Sequence, residues 1–462
     1  MNAVSREEIE QVEKELDEVL EIVQRPVPVK NTGREETVSL QENLQENDPL
    51  QEEMQIETEK EEKEEKEDSP ESAAKEQTAV SEEELDLEDD IENGYYHFLR
   101  PSDGLIAAFF VPVAVLIILF AQRGIFPFGE ECFLRTDMYH QYAPFFSEFQ
   151  YKLKQGGSLL YSWDIGMGVN FSALYAYYLA SPVNWLIILC PKKFIIEFMT
   201  ILIMVKTGLC GVTFTWYLDH HFEKKHFVAG VFGIFYALSG YMAAYSWNIM
   251  WLDCIFLLPL ILYGLEQLVQ EKKGLFYCVT LGLSILSNYY ISIMICIFMV
   301  MYVIVQVILY PPKKIKDLVA TGVRFGFYSL LAGGLAAVVL LPEIYALQAT
   351  ASGDFDFPKT ISCYFSIFDM IARHIGNVGT EIGLDHWPNI YCGVAVLMFF
   401  LLYLGSRKIT FREKAVYCSM LVLFYASFSV NVLNFIWHGF HYPNSLPCRQ
   451  SFIYIALMLF MC

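Results

Sequence analysis

One stretch, RTDMYHQYAPFFSEF (135–149), mixes opposite charges, aromatics, a histidine and a proline in a way that suits neither a lipid-facing helix nor a solvated tail. Asp137 within it has the chemistry of a general base, a carboxylate that takes the proton of an attacking hydroxyl. Asp164, in YSWDIGMGVNF, is a second candidate for that work. Around them stand Arg135, His140, Tyr142, Trp163 and Asn170, and later segments bring Asn248, Asp253, His438 and Arg449. Arg449, His438 or Lys206 could hold a phosphate, arginine through a forked pair of hydrogen bonds. The flanking aromatics can stack on sugar faces or sit at headgroup level. Together these types describe a site for a polar ligand carried on a lipid. The spacing of His438 and His441 is compatible with metal ligation, and a part for a divalent metal stays open. No phosphate-cradling glycine loop, H-E-x-x-H or G-x-S-x-G motif is present, and no nucleic-acid partner is expected.

Something must carry these residues to one place, and composition says what. Residues 1–100 hold 33 Asp+Glu against 10 Lys+Arg, whereas the rest holds 20 against 22. The formal net charge of −21 therefore belongs to the amino-terminal segment. The near-neutral body carries repeated apolar runs long enough to cross a bilayer, which makes it an all-α polytopic membrane protein. The runs are 104–121, 194–217, 227–245, 249–268, 275–289, 291–310, 318–341, 389–405, 415–434 and 449–462, or about ten membrane helices. A further stretch, 174–190, is interrupted by Ser181, Pro182 and Asn184, and Pro182 removes a helical hydrogen bond.

Charge decides whether 174–190 spans. If it does not and the amino terminus is cytoplasmic, the short inner loops hold eleven Lys and Arg, against Lys359, Arg373 and Arg449 in the later outer segments. If it did span, those eleven would face outward, against the positive-inside rule. Residues 122–193 then form an outer region with an amphipathic helix at 143–154 and a half-embedded one at 174–190, and 342–388 is a second long outer loop. Lys206, near mid-span, costs about 2.5–3.5 kcal/mol to insert, so it should face a cavity or a carboxylate such as Asp253. The 11 cysteines are scattered without a C-x-x-C pair, so packing is their default role.

Two domains are expected: 1–97 as an acidic, mostly disordered cytoplasmic tail, and 98–462 as the membrane domain. In the tail Ile9, Val12, Leu16, Val19 and Val23 mark a short amphipathic helix near 6–24. Beyond it, Glu, Gln, Lys and Ser dominate and cannot bury enough surface to order the chain. No basic region followed by a short apolar core opens the sequence, so no cleavable signal peptide is expected. The last apolar run stops after fourteen residues at Cys462, which suggests a longer protein.

RTDMYHQYAPFFSEFQYKLKQGGSLLYSWDIGMGVNF, LYAYYLASPVNWLIILCP, YALSGYMAAYSWNIMWLDCIFLLPLILYGLE and HYPNSLPCRQSF together resemble the YfhO family of bacterial membrane proteins, over roughly 98–462. The resemblance implies a GT-C type fold with juxtamembrane helices and an inverting glycosyltransferase at the cell membrane. Such an enzyme takes a sugar from a polyprenyl-phosphate carrier and passes it, on the outer face, to a cell-envelope acceptor such as lipoteichoic acid. It also implies a catalytic aspartate in the first outer loop, where Asp137 stands. Family members usually continue through more spans, which again points to a longer protein. The rival readings are a lipid-linked sugar flippase or transporter, and a non-catalytic envelope-assembly protein.

Overall fold

The structure is a computed structural model that describes residues 102–223, 227–350, 357–443 and 445–462. The acidic segment 1–97 and its amphipathic helix near 6–24 lie outside the described residues.

Helix α1 (Asp103–Gln122) is followed by a π-helical turn, Met138–Tyr142, that runs directly into α2 (Ala143–Gln155). A two-stranded antiparallel hairpin comes next, β1 (Tyr161–Ser162) paired with β2 (Val169–Asn170), Tyr161 opposite Asn170. After α3 (Phe171–Leu179) the chain turns by 102° into α4 (Pro182–Leu189). Then follow α5 (Ile195–His221), α6 (Phe227–Ala237), α7 (Gly240–Tyr245), α8 (Ile249–Gln270), α9 (Leu275–Ser287) and α10 (Tyr289–Leu309). The last third comprises α11 (Ile315–Leu335), α12 (Ala337–Leu347), α13 (Ile367–Ala372), α14 (Val396–Gly405), α15 (Phe411–Ser429), α16 (Asn431–Trp437) and α17 (Ser451–Met461).

Six helices among the described residues are long and apolar enough to cross a membrane, or seven if α3 and α4 count as one bent span. Several apolar runs are cut shorter than composition suggests, each for a local reason. Asn288 ends α9 after thirteen residues and caps α10, its side chain accepting from the Ile291 N–H at 2.9 Å. The run 389–405 is helical only from Val396, because Asn389 is spent on the backbone of Glu381, donating to its carbonyl at 2.7 Å and accepting from its N–H at 2.9 Å. The run 415–434 breaks at Val430, which bridges to Cys363.

α5 and α8 form the centre. α5 packs against α1, α6 and α8, and α8 packs also against α9 and α10. Helices in lipid approach closely through small residues, and a Cβ on Gly211 would collide with the carbonyl of Ala108 in α1. α8 is 83% buried along its apolar stretch, against 11% for α11, so α8 is the inner post and α11 lies at the periphery.

The expected amphipathic helix at 143–154 is α2, which begins with Pro144 in its first turn and stops at Gly156 in the left-handed conformation (φ 66°). Its buried face carries polar groups that hold neighbours in place. Glu148 pairs with Lys152 at 3.3 Å and accepts from Ser162 of β1 at 2.6 Å. Gln150 donates to the carbonyls of Ile187 and Cys190, both at 2.8 Å. One helix thus fixes both the hairpin and α4. All 11 cysteines are free.

Candidate functional site

Asp137 caps the π-helical turn, just after Thr136, whose φ of 46° swings the chain away from Arg135. Its half-buried carboxylate accepts no hydrogen bond and forms no ion pair among the described residues. The same turn ends at Tyr142, whose buried hydroxyl donates to Asn248 Oδ1 at 3.3 Å. Burial above all pushes the Tyr142 hydroxyl well above the ordinary tyrosine value, and Tyr177, Tyr178 and Asp137 add to the effect. It is therefore a neutral donor at any physiological pH.

From Tyr142 an aromatic path leads across the helix ends. Tyr142 meets Tyr178 edge-on at 5.6 Å, Tyr178 meets Tyr177 at 4.9 Å, and Tyr177 lies 5.9 Å from Tyr289 and 6.2 Å from Tyr290. Asn288 secures this path by donating to the Tyr177 carbonyl at 3.0 Å. At its far end the Tyr290 hydroxyl accepts from Arg449 Nη1 at 2.9 Å. The guanidinium also lies over the rings of Trp251 (5.4 Å) and Tyr290 (5.2 Å). Asp137, Arg449 and Glu343 all lie within electrostatic reach of Tyr177. Asp137 and Arg449, far apart in the sequence, therefore both act on the electrostatics of Tyr177.

Sequence reasoning does not single out Glu343. It is buried in α12, accepts from the Tyr289 hydroxyl at 2.6 Å, and leaves Oε2 without a partner among the described residues. Burial raises its carboxyl above the ordinary range, partly offset by the Tyr289 hydrogen bond. The available signal is VVLLPEIYAL, where a single carboxylate follows Pro342 at the end of an apolar run. Tyr177 escapes sequence reasoning too, because its place in the path depends on the α3–α4 bend.

Several buried polar atoms along this path lack partners among the described residues. Trp251 Nε1 and the Tyr241 hydroxyl, within reach of Arg449, and Asn248 Nδ2, beside Tyr142, are donors without acceptors. A buried donor left unpaired costs about 1–3 kcal/mol, so such a group beside a guanidinium marks a place built to meet an acceptor-rich anion.

His438 is fully buried at the end of α16, and its Nδ1 lies 2.7 Å from the Asn434 carbonyl. A carbonyl only accepts, so Nδ1 carries the hydrogen. Burial, with Arg449 next, pushes the ring's pKa down to about 3. The ring is neutral and Nε2 presents a lone pair, with no partner among the described residues. In this state the ring can accept from a hydroxyl through Nε2.

The other expected residues are engaged or exposed in their own ways. Arg135 spends Nη1 on the Ala243 carbonyl at 3.1 Å, and His140 is exposed, edge-on to Tyr139 at 5.2 Å. Trp163 is 75% exposed on the hairpin, packed on Tyr161 at 4.9 Å. Asp164, exposed beside it, donates its backbone N–H to Ser162 Oγ, and Asn170 caps α3 by accepting from the Ala173 N–H at 3.3 Å. Asp253 is sealed with Lys206 at 2.5 Å and accepts from Ser181 Oγ at 2.7 Å at the α3–α4 break. Lys206 also donates to the Ile249 carbonyl at 3.3 Å. Asp253 is thus committed to architecture and has no oxygen to spare for substrate. No group of three His, Cys, Asp or Glu among the described residues could hold a metal ion.

Beside Arg135 a groove of about 910 Å³ opens between α1, α5 and α6. Val115, Leu116, Leu119 and Ile203 make its walls apolar, and Arg123, Glu131, Arg135 and Ser246 add polar groups to the lining.

A family model described as bacterial membrane protein YfhO matches residues 107–462. No curated protein and no solved structure matches the chain.

Proposed function

We propose that this chain, which belongs to the YfhO family of bacterial membrane proteins, is a glycosyltransferase that moves a sugar from a polyprenyl-phosphate carrier to a cell-envelope acceptor, such as lipoteichoic acid, at the outer face of the membrane. In this reading about ten helices or half-helices fill the bilayer with the amino terminus cytoplasmic. α3 and α4 dip in and return, which their 102° turn favours.

The observation that carries the reading is the pairing of unlike ends on one aromatic path. At one end stands an unpartnered carboxylate, at the other a guanidinium amid donors without acceptors. Glycosyl transfer from a lipid phosphate needs both. Asp137 takes the proton of the acceptor hydroxyl as its oxygen bonds to the anomeric carbon. The bond from that carbon to the phosphate oxygen breaks, with inversion. The electron pair leaves with the lipid phosphate, whose growing charge meets Arg449, Trp251 Nε1–H and the Tyr241 hydroxyl. Tyrosine faces at Tyr177 and Tyr290 suit the sugar between them. The apolar groove beside Arg135 suits an isoprenoid tail. The flippase reading draws less support, because the charges deepest in the bundle, Lys206 and Asp253, are already closed on each other.

A transfer assay with a polyprenyl-phosphate sugar tests the role of Asp137. Asp137→Asn should lower turnover by about 10²–10⁴-fold while donor binding and thermal unfolding stay unchanged. Full turnover in that variant would remove Asp137 from the mechanism.

A further inference from the structure

At the far end of α8 from Trp251, a cavity of about 620 Å³ lies between the ends of α8 and α10 and the first half of α11. Its lining carries three cations, Lys272, Lys313 and Arg324, against one carboxylate, Asp317. Two lysines at helix ends are what any membrane protein shows; Arg324 is different. It stands nine residues into α11, about 13 Å along the helix at 1.5 Å per residue. A cation at such depth is costly and is normally paired. Among the described residues Arg324 forms no ion pair, and only Nη1 finds a partner, the Leu268 carbonyl at 3.4 Å. Asp317, two turns away on the same helix, does not reach it.

A second observation points to the same place. Gln270, in the lining, donates to Oε1 of Gln306 at 3.3 Å, and Gln306, fully buried just outside the lining, has its own Nε2 without an acceptor among the described residues. The polar atoms left over here are donors. The wall beside them is lipid-facing: Val319, Val323, Phe327 and Leu330 form an exposed stripe along α11.

We infer that this cavity binds an anionic phospholipid, its phosphodiester held by Arg324 with Lys272 and Lys313 at the rim, and its acyl chains laid along the α11 stripe. A phosphodiester oxygen supplies the anionic acceptor that Arg324 lacks, and guanidinium suits it better than ammonium because it is planar and weakly hydrated. The lipid would neutralise a charge that the protein's own side chains leave unmatched, and would pin α11, the least buried of the spanning helices, to α8. The inference is independent of glycosyl transfer.

The test uses the full chain in detergent, titrated with phosphatidylglycerol, with phosphatidylcholine, and with inorganic phosphate, and read by native mass spectrometry and thermal unfolding. One phosphatidylglycerol should stay bound per chain and raise the unfolding temperature, while phosphatidylcholine and inorganic phosphate should do neither. Arg324→Gln should weaken retention about tenfold and Arg324→Lys by less. The rim pair Lys272→Gln and Lys313→Gln, which leaves the bundle interior untouched, should weaken it too. Equal retention of phosphatidylcholine, indifference to all three charges, or equal protection by inorganic phosphate would overturn the assignment.

Discussion

Two clusters of charge lie near the same end of α8, and they treat their hydrogen bonds in opposite ways. Lys206 and Asp253 are nearly inaccessible, 2.5 Å apart, and saturated by Ser181 and the Ile249 carbonyl. Just before Asp253 on α8, Trp251 joins Arg449 and Tyr241 around a region with donors to spare, and among the described residues Asp137 is a carboxylate with nothing to accept. The first arrangement is closed, joining α5, α8 and the α3–α4 break. The second is open, and openness in a buried polar cluster is the mark of a ligand site. Charge alone does not distinguish the two, since both are unusual in a membrane helix bundle; the accounting of donors and acceptors does.

The largest expected effect lies in the closed cluster. Lys206→Met leaves Asp253 charged and unpaired, and should lower stability by about 3–5 kcal/mol, measured by thermal unfolding in detergent. The double variant Lys206→Met with Asp253→Leu should recover most of that loss. A single variant as stable as the parent would mean the pair is no structural lock.

A smaller effect separates His438 from Arg449. Its folded pKa, about 3, lies below the ordinary histidine value near 6.5, so between those values the unfolded chain binds the extra proton. Stability contributed by the neutral ring is complete above pH 6.5 and falls as pH drops towards 3, by about 2 kcal/mol between pH 6.5 and 5. His438→Gln should flatten unfolding temperature against pH over that window. An unchanged slope would show that the ring charges without cost and can meet an anion after all.

The hairpin should matter least. Trp163→Ala removes a mostly exposed ring and should shift stability by no more than about 0.5 kcal/mol, with transfer unchanged. Lost transfer would extend the open cluster to the hairpin and bring Trp163 and Asp164 back into the site.

Much of this architecture is legible in the sequence. Apolar length marks α1, α5, α8 and α10, amphipathic spacing marks α2, and Pro182 marks the break. The cost of a lone cation in lipid is enough to name Asp253 as a partner for Lys206. What escapes is set by tertiary placement. That Asn170 caps α3 and that the Asn434 carbonyl fixes the tautomer of His438 cannot be read from spacing. Glu343 and Tyr177 join the site only because α12 packs against α3. The ends of several apolar runs are misplaced by composition for a related reason: hydropathy does not register that Asn389, Ser429 and Asn431 spend polar groups on loops.

The most direct measurement compares affinity for polyprenyl phosphate across the two clusters, in the parent, in Arg449→Gln, and in the rescued Lys206→Met/Asp253→Leu double variant. Arg449→Gln should bind the lipid at least about tenfold more weakly while the double variant binds it as the parent does. Undiminished binding by Arg449→Gln, with binding lost in the double variant, would exchange the roles of the two clusters and contradict the account.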